Sequence, residues 1–429
     1  MSARRLLSGF LSVVVGLTAQ GCGFERSAPE GPVWQRLYRH FYIRTSQDGT
    51  EFSDGIDPLL WDQTKYVLQG PTHLKTLQLL DEFLTTRAER SIADPVERAM
   101  LQREMLAVFD WTANLFDNST PECLALQSRL GQVIKRLSLS PEEIARVPDT
   151  YGRSVAAKAF APGPRPDRPD EPFLPSDLLQ DGGSWVCLQS PSYHPVALTH
   201  FEQFNGRSTF LVFMRLPQGR QATLDYLKRL QEYHDTWTPG LRRPRQAQPD
   251  PRPPQFPAGT AVALVRRAML VDSGGSLVPS LLTETVQMRV YRIVPDGDNV
   301  ANSSGDTQQD VYEFKLDRAR LLAGDAASLR PLPRDAAELP LFMTHGMDPF
   351  EEPDGRAAEL PRPQSVFRRC PGCHQGPGIL SVQSYQQDRQ LLACSVADGI
   401  GTDAYSKRRR YDWGLLQGIW HASEKVGRR

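Results

Sequence analysis

Two apolar runs, GTAVALVRRAMLV (residues 259–271) and LLTETVQMRVYRIV (residues 281–294), stand on either side of Asp272-Ser273-Gly274-Gly275. Aspartate followed by glycines supplies the local side-chain hydrogen bonds and the backbone freedom that a reversal of the chain needs. In the second run Val286, Met288 and Val290 alternate with Thr285, Gln287 and Arg289. A period of two places the first set on one face of a strand and the second on the other, so the two runs predict a β-hairpin with one buried face.

Reading outward from the hairpin, STFLVFMRLP (208–217) has the length and apolarity of a buried strand, and TLDYLKRLQEYHDTW (223–237) predicts a helix behind the turn at Pro217-Gln218-Gly219-Arg220. In DVYEFKLDRARLL (310–322), Tyr312, Phe314 and Leu316 line one face of a further strand. Residues 177–334 therefore read as a mixed β/α domain. Earlier in the chain the period changes. In DPVERAMLQREMLAVFDWTANLFD, Asp94 is an N-cap with Pro95 at the first helical position, and Leu101, Met105, Val108, Phe109, Leu115 and Phe116 recur on one face. TPECLALQSRLGQVIKRL repeats the pattern behind Thr120, and Ser140-Pro141-Glu142-Glu143 opens another helix. Residues 55–161 are expected to form a helical domain.

Proline is the unusual component, at 35 residues. It fixes φ and donates no backbone hydrogen bond, so PGPRPDRPDEPFLPS (162–176) reads as an extended linker and 239–257 as a proline-rich loop. Residues 335–429 form the last portion, ending in YDWGLLQGIWHASEKV, where Trp413, Leu416, Ile419 and Trp420 fall at helical spacing. The expected fold class is multidomain α+β: a helical N-terminal domain, a β-rich middle domain and a small, mostly helical C-terminal unit. Lys plus Arg and Asp plus Glu both number 50, a balance that gives no electrostatic footprint for nucleic acid.

The N-terminus, MSARRLLSGFLSVVVGLTAQGCGFE, has Arg4 and Arg5 before an apolar run, Leu6 to Leu17, that is short for a membrane span, and then the small-residue site Ala19-Gln20-Gly21. Residues 1–21 read as an export signal and 22–54 as a tether. The stretch up to Cys22 resembles the lipobox of bacterial lipoproteins, with Ala19 where that family usually has leucine. The resemblance implies a lipidated Cys22 as mature N-terminus, membrane lipid as a partner, and a site facing the periplasm or cell exterior.

Near the other end, RRCPGCHQGPG places Cys370, Cys373 and His374 in the pattern Cys-x-x-Cys-His. This resembles the haem-attachment motif of c-type cytochromes. The resemblance implies one covalent haem c, with thioethers to Cys370 and Cys373 and His374 as the proximal iron ligand, and electron transfer to an unidentified redox or protein partner. Attachment of that kind is made outside the bacterial cytoplasm, where the leader would send the chain. No methionine follows His374, so the candidates for a sixth ligand are His421, in the terminal helix, and Met343, His345 and Met347 upstream. Two other chemistries stay open for the motif. A Cys370–Cys373 disulfide would leave a haem-free lipoprotein that acts as a binding or structural module, and a zinc site would have to recruit Cys394 with His421 or His345.

The remaining features read as ordinary. His194 and His200 are expected to be surface or core histidines, and Asp348, Glu351, Glu352 and Asp354 a solvated turn without calcium-loop spacing. Gly372, Gly376 and Gly378 lack the ending of a phosphate loop, and no hydrolase motif is present, so a redox carrier or binding protein is expected rather than an enzyme. Of the other cysteines, Cys123 is expected to be buried and reduced, which leaves Cys187 and Cys394 as the pair able to bridge.

Overall fold

Helices occupy the first third of the chain because their start signals are strong. α1 (Val33–Tyr42) is followed by a two-stranded ladder of β1 (Arg44–Thr45) and β2 (Glu51–Phe52), and then by α2 (Gly70–Thr86), α3 (Pro95–Ala113), α4 (Pro121–Leu137), α5 (Pro141–Ala145) and α6 (Thr150–Ala156). Asp94 caps α3 by accepting from Val96 N, Thr120 caps α4 through Cys123 N, and Ser140 with Glu143 forms a reciprocal capping box on α5. The computed structural model describes residues 31–45, 49–165, 167–233, 253–294, 309–336 and 390–426, with shorter pieces at 237–238, 248–249, 348, 350–351, 367, 373–374 and 376–384.

The remaining elements are β3 (Val186–Gln189), α7 (Leu198–Gln203), β4 (Ser208–Arg215), α8 (Arg220–Leu230), a small ladder of β5 (Trp237–Thr238) and β6 (Gln248–Pro249), β7 (Ala261–Val271), β8 (Leu277–Tyr291), β9 (Gln309–Leu316), α9 (Arg318–Leu322), β10 (Leu329–Pro331), α10 (Ile379–Val382), β11 (Leu392–Cys394), α11 (Val396–Arg408) and α12 (Tyr411–Val426). Seven strands form one antiparallel sheet in the order β10-β9-β8-β7-β4-β3-β11. The protein is thus mixed α+β, and the hairpin at its centre is the one the sequence announces. In the β7–β8 turn Asp272 Oδ1 accepts from Gly274 N at 2.9 Å and Ser276 N at 2.8 Å. Gly275 has φ +82°, and any Cβ there would meet the Trp420 indole at 2.8 Å. Only glycine satisfies both conditions.

The two faces of the sheet differ. On one, Leu211, Phe213, Val265, Val286, Met288 and Phe314 pack with Tyr151, Phe173 and Leu178 into an apolar core. On the other, two apolar clusters occupy the ends. Near the turn, Met269, Val271 and Leu277 join α1 to α4 and α12. At the far end, Met214, Val262 and Tyr291 join α8 and α10. Between the two clusters lies a belt of buried charge. Asp57 accepts from Arg103 and Arg207, each at 2.7 Å, and from Arg266 at 2.6 and 2.8 Å. Glu284 binds Arg103, Arg266 and Ser208, and Lys315 pairs with Asp54.

Several expectations change here. Gln287 and Arg289 are buried, because later segments cover the polar face of β8 that periodicity assigned to solvent. Residues 22–54 include α1, whose Leu37, Phe41 and Tyr42 are buried in the helical core. The proline-rich segment 162–176 is irregular but packed: Phe173 and Leu174 are buried, and Pro169 O accepts from Tyr312 Oη at 2.5 Å. The stretch from 335 onward supplies β11 as a sheet edge, and it supplies α12 to the core of the helices. Phe116 lies beyond α3 and is fully exposed. Asp348 and Glu351 are clamps rather than solvated residues. Asp348 is buried against Arg44 at 2.9 Å, and Glu351 accepts from the backbone of Lys65 and Tyr66 at 2.5 and 2.6 Å. Glu352 and Asp354 lie outside the described residues.

Candidate functional site around His374

His374 sits on the covered polar face, and its loop is built to hold it there. Gly378 has φ +53°, and a Cβ at that position would fall 2.0 Å from Gln255 Oε1, which itself accepts from Ile379 N at 2.9 Å. The tight turn launches α10, whose Ile379 and Leu380 are buried with Tyr291 and Phe256. Ser381 then ties the loop to the sheet, because its hydroxyl receives Tyr291 Oη and Gln309 Nε2, each at 3.2 Å, and donates to His374 O at 3.1 Å.

The same residue sets the tautomer of the imidazole. Ser381 O lies 2.7 Å from His374 Nδ1, with Ser384 Oγ at 3.1 Å from the same nitrogen. A carbonyl can only accept, so Nδ1 carries the proton and Nε2 keeps its lone pair. Burial lowers the histidine pKa to about 3, with Arg289 and His200 acting in the same direction and the Ser381 bond against them. The ring is therefore neutral at physiological pH and can serve as a metal ligand. A backbone carbonyl behind the distal ring nitrogen is the usual support of such a ligand.

Two neighbours complete the site. His200, on α7, lies between Phe210, with ring centroids 6.0 Å apart, and His374, with centroids 6.3 Å apart and planes 16° from parallel. Burial lowers its pKa to about 4, and Arg289 and Arg266 add to the effect. Arg289 is only 5 % exposed, yet its partners are amides: Gln287 Oε1 at 3.0 and 3.2 Å and Gln309 Oε1 at 3.3 Å. No carboxylate among the described residues neutralises it. A buried guanidinium whose described partners are amides leaves this part of the site electropositive and suited to an anionic group.

The expected ligands are distributed unevenly. Cys373 is exposed beside His374, whereas Cys370, Met343, His345, Met347 and Cys22 lie outside the described residues. The structure does not bring His421 to His374. His421 follows Trp420, which packs on the hairpin turn at Gly275, whereas His374 is tied through Ser381 to Tyr291 at the other end of β8. That strand has 15 residues, and at about 3.3 Å per residue the two ends are roughly 45 Å apart. Cys394 belongs to the apolar core on the opposite face of the sheet, so it cannot share a zinc ion with His374. Among the described residues no group of three His, Cys, Asp or Glu side chains is placed to hold a metal ion. His200 reads in the sequence as an ordinary histidine, because ten residues of helix, turn and strand separate it from Phe210 and 174 from His374, and only the fold makes them neighbours.

The other three cysteines, including the pair expected to bridge, are free thiols in the structure. Cys123 is buried, and its thiol lies 3.5 Å from Thr112 O, with burial pushing it up to about 11. Cys187 and Cys394 face each other directly across β3 and β11. Directly opposed residues of antiparallel strands have Cβ atoms about 5 Å apart, close to bridging distance. Protein recovered from an oxidising compartment is expected to yield a linked Cys187–Cys394 peptide in non-reducing mass mapping. Two separately alkylated peptides would show that the pair stays reduced.

No protein-family model, curated protein or solved structure matches this chain. No helix among the described residues is long and apolar enough to cross a membrane.

Proposed function

We propose that the chain is a lipid-anchored, extracytoplasmic protein that carries one covalent haem c at Cys370, Cys373 and His374 and transfers electrons. The observation that carries this reading is the tautomer of His374: Nδ1 donates to Ser381 O, which leaves Nε2 as a neutral donor on the residue that follows Cys373 in sequence. The donor set fits the group. His374 would hold the iron, Cys370 and Cys373 would hold the porphyrin through thioethers, and Arg289, which has no carboxylate partner among the described residues, would neutralise a propionate. Bound there, the haem would supply a one-electron couple, whose potential depends on burial and the axial ligands. The chain's own contribution is to fix the imidazole, keep it unprotonated, and bury it against the sheet. Cys22, behind the leader in residues 1–21, would supply the membrane attachment.

The test is retention of colour. Exported by its own signal from a host with an active cytochrome c maturation system, the protein is expected to stay peroxidase-positive after denaturing electrophoresis. Changing both Cys370 and Cys373 to Ser is expected to abolish that stain. A colourless wild-type protein with a Cys370–Cys373 disulfide would sink the haem reading and favour a haem-free binding lipoprotein.

A further inference from the structure

We infer that His200 is the second axial ligand of the iron that His374 would hold, so that the site is bis-histidine and closed to small ligands. The inference rests on the haem reading above and goes beyond it, because His200 lies far from the attachment motif in sequence.

A metal–imidazole bond is about 2 Å, and the ring centre lies roughly 1 Å farther along the same line. An ion held between two imidazoles therefore sets their centroids about 6 Å apart. The two rings here are 6.3 Å apart and within 16° of parallel. An offset stack of two neutral rings can reach a similar separation, so spacing alone does not separate ligation from packing.

Three further observations favour ligation. His374 has its Nδ1 committed to its own loop, which turns Nε2 outward from Ser381 and Ser384. His200 is positioned by the scaffold: the adjacent Phe201 is buried in the helical core, and Phe210 of β4 supports the ring. Beside both rings lies a buried, positively charged guanidinium, Arg289, with no carboxylate partner among the described residues. Such a charge is costly beside two neutral imidazoles alone, and it is compensated when an anionic group occupies the same space. Of the sixth ligands suggested by sequence, His421 is at the opposite end of β8.

The experiment uses full-length protein matured with haem. Covalent attachment is quantified as the pyridine haemochrome, which does not depend on the axial ligands. The wild type is expected to be low-spin in both redox states, with a rhombic ferric electron paramagnetic resonance signal, as near-parallel imidazole planes give. His200→Ala is expected to retain the haem but lose the low-spin signal in favour of a high-spin one, and added imidazole is expected to restore it. His421→Ala is expected to leave the spectrum unchanged. If His200→Ala is poorly matured, His200→Met fills the same space and decides the point: methionine ligation would change the ferric spectrum and raise the potential, whereas an unchanged spectrum would overturn the inference. A fully loaded His200→Ala protein with a wild-type spectrum, or a high-spin wild type, would overturn it and leave the haem reading standing. Wild type without covalent haem would overturn both.

Discussion

Asp57→Ala is expected to remove most of the stability of this protein. The carboxylate is the shared acceptor of three buried guanidinium groups, those of Arg103, Arg207 and Arg266. Glu284 compensates Arg103 and Arg266 but has no bond to Arg207, and Arg207 has no other carboxylate among the described ion pairs. Removing one partner of a buried pair costs about 3–5 kcal/mol, because the other charge stays buried and unpaired. Three cations sharing one anion place this site at or above the top of that range. A typical native state has about 5–15 kcal/mol in hand, so little folded protein should accumulate. The measurement is soluble yield together with the thermal melt. A variant that melts within a few degrees of wild type would show that the belt contributes little.

The same carboxylate has a defined pH behaviour. Burial alone would raise its pKa, but Arg266, Arg103 and Arg207 outweigh burial and hold it well below the ordinary value of 3.8. A depressed carboxyl stabilises the fold above its unfolded pKa, and that contribution disappears only as pH falls well below 4.

Asp403→Asn is expected to act in the opposite direction and to stabilise the protein at neutral pH. Asp403 of α11 is buried and accepts from Phe210 N at 2.6 Å, with no cation paired to it among the described residues. Burial pushes its carboxyl up to about 8, against the weaker effect of the Phe210 bond. The folded state therefore keeps a proton that the unfolded chain has released. Below the unfolded pKa of 3.8 both states are protonated and the group is neutral in the balance. Each pH unit above that favours unfolding by about 1.4 kcal/mol until the folded pKa is reached. The penalty at neutral pH is on the order of 4 kcal/mol. Asparagine keeps the acceptor without the ionisation, so the gain should be nearly full near pH 7 and absent near pH 4. Urea titrations at the two pH values measure it, and equal gains at both would refute the mechanism.

The sequence exposed those parts of the fold that are set by local chemistry. Asp94, Thr120 and Ser140 announce their helices because an N-cap acts on backbone donors two or three residues away. The β7–β8 hairpin is legible because Asp272 and Gly275 serve a turn of their own. What was hidden depends on partners distant in sequence. Arg103 and Glu104 look like the solvent side of an amphipathic helix, and they are buried because Glu284 and Arg318 meet them there. Gln287 and Arg289 look like an exposed strand face until the loop of His374 covers it. The motif at His374 was visible as a pattern of residue types. Its Ser381 support, its Arg289 neighbour and its approach to His200 were not, since each is a tertiary contact.

The edge strand β11 also bears on the order in which the chain can fold. It is the outermost strand next to β3, yet about two hundred residues of sequence separate the two, and α12, which closes the helical core, follows it. Contacts between such distant segments require a large loop-closure entropy before they return any energy, which makes assembly slow. During synthesis the early helices and the β7–β8 hairpin emerge long before their last neighbours. Until β11 docks, β3 presents unpaired amides and carbonyls, a template for the strand of another chain. Chain termination before residue 392 would make that exposure permanent, and such fragments would be prone to aggregate.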